Sequence, residues 1–142
     1  MKTNLTTVAL FLGLAFLISP HYLAAQDDAP IDDKDIKIVH FEELNYPPLA
    51  RAARIEGAVV IRVSFDDRGN VVKAVAISGK EPLIDYCLAN AKKWKFEPNA
   101  RKMAVLVYHF TLPPAVCGPD FSFFMLEGNL VTITACPTRI DQ

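Results

Sequence analysis

Residues 58–77, AVVIRVSFDDRGNVVKAVAI, decide how this chain folds. Val59, Ile61, Val63 and Phe65 alternate with Val60, Arg62 and Ser64, the two-residue period of a strand buried on one side. Asp66-Asp67-Arg68-Gly69-Asn70 is turn chemistry, and Val71 to Ile77 reads as a second strand, so the segment predicts an antiparallel hairpin. Downstream, Pro82 marks a helix start, and Ile84, Cys87, Leu88, Ala91 and Trp94 recur three or four residues apart on one face. Phe96-Glu97-Pro98-Asn99 ends that helix. A third strand is predicted over 103–112, with Ala104, Leu106, Tyr108, Phe110 and Leu112 sharing a face. Upstream, Pro48 suits the first turn of a short helix rich in Ala and Arg, and Gly57 suits the left-handed position that closes it. The expectation is an α+β domain: a small antiparallel three-stranded sheet with one amphipathic helix packed across it.

The bulk composition agrees with a single folded domain. An apolar fraction of 51% with 22% charged residues is incompatible with a disordered chain, and 142 residues supply one core. Fifteen basic against sixteen acidic residues give a net charge of −1, so no nucleic-acid partner is expected. The three histidines, His21, His40 and His109, and the three cysteines lack metal-finger spacing, and no metal or cofactor is expected.

The two ends of the chain depart from this average. Lys2 precedes an eleven-residue apolar run from Val8 to Ile18, followed by Ser19-Pro20 and Ala24-Ala25. The run is about half the ~20 residues that a membrane-spanning helix needs. Residues 1–25 therefore read as a secretory signal peptide, leaving a periplasmic or secreted mature form that does not span a membrane. The other reading of the same residues is an uncleaved inner-membrane anchor through residues 5–25. Residues 26–43 form an acidic linker, where seven acids stand against two lysines, a run expected to stay solvated. The folded domain is placed at 44–112. Beyond it, residues 113–142 form an extension with Phe, Val, Ile and Thr on either side of Gly128-Asn129, a β-hairpin signal.

In an exported chain Cys117 and Cys136 are the natural disulfide pair, with Cys87 left over. The hairpin register sets Leu126 opposite Val131 and Phe121 opposite Cys136, so pairing requires Gly118-Pro119 to fold Cys117 back. No catalytic function is expected. The sequence contains no phosphate loop, nucleophile elbow or metalloprotease motif. Asp66-Asp67 sit in a turn, and Cys87, which could be drawn against His109, falls on the apolar helix face where a buried thiol is inert.

The order of elements and several short words resemble the TonB C-terminal domain family. Tyr46-Pro47-Pro48-Leu49-Ala50 with Gly57, Gly69-Asn70-Val71, Ser78-Gly79 and Trp94-Lys95-Phe96-Glu97-Pro98 fall in the family's order. The resemblance spans about residues 44–112. It implies a protein-binding module that grips an extended segment of an outer-membrane transporter by adding it as a strand to a sheet edge. In the family that edge is the third strand, here Val105, Leu106, Val107, Tyr108, His109, Phe110 and Thr111. At most ~3.6 Å per residue, the linker 26–43 reaches only about 60 Å. The expectation is thus the module and its binding mode, linked to TonB-dependent transport, rather than energy transduction itself. The alternative is a structural envelope protein whose sheet is self-completed or homodimeric. A final expectation concerns residues 121–135, which either cap or extend the third strand or form a hairpin packed elsewhere on the domain.

Overall fold

The computed structural model describes residues 36–113, Cys117 and residues 122–138; the export segment and the start of the acidic linker lie outside them. The chain forms β1 (Ile38–His40), α1 (Pro48–Ala52), β2 (Gly57–Phe65), β3 (Val71–Ser78) and α2 (Glu81–Ala91). After these come β4 (Lys95–Phe96), β5 (Met103–Thr111), β6 (Ser122–Glu127) and β7 (Leu130–Ala135). The α+β class is as expected, but the main sheet has five strands, in the order β3-β2-β5-β7-β6, not three. The two extra strands come from the extension. β7 runs parallel to β5, whereas the other neighbours in this sheet are antiparallel. This follows from the path of the chain: it passes the seat beside β5, lays down β6 one strand further out, and returns through the Gly128-Asn129 turn to fill the gap.

One face of the sheet carries the core. Val59, Ile61 and Val63 of β2, Leu106, Tyr108 and Phe110 of β5, and Val131 and Ile133 of β7 are fully buried there. α2 packs over β2 and β3 on this face. Its buried positions are Leu83, Cys87, Asn90 and Ala91, while Ile84 and Leu88 are only half-buried. The contact face keeps Cys87 and Ala91 of the expected stripe and adds Leu83 and Asn90, the latter held inward by hydrogen bonds described below. Trp94, just past the helix, is buried at 1% exposure.

α1 is shorter than expected, and Arg54 rather than Gly57 takes the left-handed position, at φ 53°. The Arg54 N–H donates to the Arg51 carbonyl at 3.1 Å and the Ile55 N–H to the Ala50 carbonyl at 2.8 Å, which closes the helix. The acidic run is also not wholly a solvated linker. β1 pairs with β4, and Ile36, Ile38 and Leu44 pack against the core.

Candidate functional site

The family words read in the sequence meet one another in space. Gly69 adopts φ 81°, and a Cβ there would lie 1.7 Å from the Phe96 carbonyl oxygen. The Phe96 N–H donates to the Gly69 carbonyl at 2.9 Å, so the hairpin turn and the Trp94-Lys95-Phe96 segment form one junction that only glycine permits. Asp66 completes the turn by accepting from the backbone N–H groups of Arg68 and Asn70, each at 2.9 Å. The bond from the Asn70 backbone is the main reason its carboxyl titrates below the usual carboxylate range. Tyr46 stacks edge-on against Phe110 with ring centroids 5.3 Å apart, and its hydroxyl donates to the Ile55 carbonyl at 2.6 Å. Burial, reinforced by nearby Glu56, pushes that phenol up to about 12.

Asn90 is a hub that sequence reasoning missed. Its Oδ1 accepts from Trp94 Nε1 and from the Tyr108 hydroxyl, both at 2.9 Å, and its Nδ2 donates to the Glu42 carbonyl at 2.9 Å. One amide therefore ties α2, the tryptophan, β5 and the acidic arm together. Aromatic rings continue this path across the molecule. Phe65, Phe96, Trp94, Phe41 and Phe124 follow one another at centroid separations of 5.1, 6.3, 5.9 and 5.9 Å, the range of favourable ring pairs.

The strand singled out as the partner-binding edge, Val105 to Thr111, lies inside the sheet. Its Leu106, Tyr108 and Phe110 are buried in the core, and Val105, Val107, His109 and Thr111 face the open side. Along one flank β5 pairs with β2, from Met103↔Ser64 to Phe110↔Gly57. Along the other, Val107 to Thr111 pair with Leu130 to Thr134 of β7. Asn129 extends the contact: its carbonyl accepts from the Val107 N–H at 2.9 Å, and its Nδ2 donates to the Val105 carbonyl at 3.2 Å. Thr111 and Thr134 share a hydroxyl hydrogen bond of 2.8 Å.

β7 is held firmly in that seat. Cys117 and Cys136 form a disulfide, and Arg51 Nε of α1 donates to the Cys136 carbonyl. Val131 and Ile133 are fully buried, and each such side chain contributes roughly 1.5–3 kcal/mol. A strand displacing β7 would have to replace about 3–6 kcal/mol of apolar burial from these two alone. Among the described residues, the outermost strands of the sheet are therefore β3 and β6.

The Cys87 and His109 groups are not brought together. Cys87 lies in the core under α2, where burial pushes its thiol up to about 12, whereas His109 is exposed on the open face. Burial, and secondarily Cys87, also holds the Tyr108 phenol far above its ordinary range. Among the described residues no helix is long and apolar enough to cross a membrane.

The fold is a small sheet with a helix packed across one face, and among the described residues no cluster of His, Cys, Asp and Glu could hold a metal ion. Residues 42–113 match the family model of the Gram-negative bacterial TonB protein C-terminal, and the chain belongs to that family. TonB of Vibrio cholerae serotype O1 is 33% identical over 70 residues, which cover 48% of this chain and 29% of that protein. The chain thus matches less than a third of the length of this curated relative. No solved structure matches it.

Proposed function

We propose that this chain is an exported, non-catalytic protein-binding module of the cell envelope that takes up an extended segment of a partner by strand addition. An outer-membrane transporter is the partner its family membership favours, and β6 is the accepting edge. The observation that carries this reading is the seat taken by β7. With the β5 flank filled from within the chain, the sheet edges left among the described residues are those of the two outer strands. The same observation favours a second reading, a structural envelope protein whose sheet is completed by its own extension.

Photo-cross-linking in the intact bacterium tests the proposal, with a benzophenone side chain placed at Phe123 or Met125 of β6, or at Val75 of β3. The exported protein should have a mature mass starting near Gln26. Adducts with an extended transporter segment from the β6 positions are the expected result. Adducts from β3 alone, or a chain that keeps Met1 in the membrane fraction, would overturn it.

A further inference from the structure

We infer that the open face of the sheet, the one turned away from α2, is a docking surface for an acidic, amphipathic helix of a partner protein. This inference is independent of which edge accepts a strand.

A sheet with one solvated face ordinarily alternates apolar inward residues with polar outward ones. This sheet departs from that rule. Val60, Val107 and Leu130 stand opposite one another on β2, β5 and β7 and form an unbroken apolar row across the three inner strands. Val75 on one outer strand and Phe123 and Met125 on the other widen it, at 38%, 47% and 41% exposure. Both described helices serve the opposite side, α2 over β2 and β3 and α1 through the buried Ala50. Exposed apolar surface running across a whole sheet marks an interaction site.

Two features of the face select its occupant. The first is charge. Arg62 stands between Val75 of β3 and Val105 of β5, and Lys73 follows on the same face of β3, opposite Ser64. Neither makes an ion pair among the described residues. Glu127, at a corner, is the only acid that the described strands turn to this side. A carboxylate set over Arg62 would gain a charge-assisted, two-pronged hydrogen bond. A second copy laid face to face would instead set these cations against their own kind. A lipid surface fits no better. Arg62 lies among valines in the middle of the face, so insertion would carry its guanidinium into hydrocarbon. The second feature is the backbone. β2, β5 and β7 are paired on both flanks, so a segment lying across them finds no N–H or C=O to bond. It must satisfy its own groups, which a helix does and an extended segment does not. The occupant is thus a helix with an apolar stripe along the valine row and carboxylates beside it.

Titration of the mature chain with two synthetic helical peptides, each of about five turns, tests this. One carries a leucine stripe flanked by glutamates, the other the same stripe flanked by lysines. The glutamate peptide should shift the methyl resonances of Val60, Val107 and Leu130. It should also bind at least about tenfold tighter than its lysine counterpart. A variant with Arg62→Glu and Lys73→Glu should keep the parental urea midpoint and reverse that preference. Equal affinity for the two peptides, no binding of either, or shifts confined to other surfaces would overturn the inference. So would binding to phosphatidylglycerol vesicles that the double variant abolishes, with no preference between the peptides, which would give the face to a membrane. The three reporter residues lie on inner strands, so the outcome is read separately from strand addition at β6.

Discussion

At the scale of single residues, Asn90 shows how much one buried amide carries. It is the one buried polar side chain among the described residues, and its oxygen and nitrogen are both used. Replacing it with Leu keeps the bulk and removes the partners, leaving Trp94 Nε1 and the Tyr108 hydroxyl buried without acceptors. Each orphaned group costs about 1–3 kcal/mol, so Asn90→Leu should destabilise the domain by about 2–6 kcal/mol. Urea denaturation followed by Trp94 fluorescence measures the loss. A midpoint equal to the parent's would mean that water serves both donors and that the hub is dispensable. Sequence reading placed Trp94 on the apolar face of α2, but it did not find Asn90. An asparagine within a helix ordinarily faces solvent, and only the tertiary approach of Tyr108 and the acidic arm supplies partners that make its burial favourable.

At the scale of elements, the local patterns were legible and the long-range ones were not. Alternation along Val59 to Phe65 gave the strand, the Asp66–Asn70 turn gave the hairpin, and Gly128-Asn129 gave the second hairpin with Leu126 opposite Val131. The parallel docking of β7 on β5 has no local signature, because it depends on which hairpin strand the chain returns to the gap. Ile36, Ile38 and Phe41 were likewise hidden in a run of acids, although their apolar surfaces are what hold the arm to the domain. The disulfide is an element-scale device whose effect can be measured. It closes a separation of 19 residues, a constraint on the unfolded chain worth about 3 kcal/mol in loop-closure entropy. With Cys117→Ser and Cys136→Ser together, global stability should fall by about that amount. Amides of β6 and β7 should also exchange faster, while those of β2 and β3 keep their relative protection. Equal acceleration throughout the sheet would show instead that the extension unfolds only with the whole domain.

At the scale of the molecule, the question is whether the segment that matches the family is a domain in this chain without its extension. The matched residues end at 113, before both strands of the second hairpin. Yet Val131, Ile133 and Ala135 belong to the same core as Ile61, Leu106 and Trp94, with Phe124 and Leu126 packed against it. Removing everything after Leu112 would expose the flank of β5 from Val107 to Thr111 and strip cover from Tyr108 and Phe110. Burial of Val131 and Ile133 alone is worth roughly 3–6 kcal/mol. Whole-domain stabilities are about 5–15 kcal/mol, so that loss takes a large share of the total. A chain ending at Leu112 is therefore expected to be largely unfolded, or to melt far below the parent in circular dichroism. A supplied peptide of sequence 121–136 should restore part of the lost stability by refilling the seat beside β5. If the shortened chain instead keeps the parental midpoint, β7 is an added strand rather than a structural one. A partner segment could then take its place on β5, and recognition would return to Val105–Thr111, the edge from which the sequence reading began.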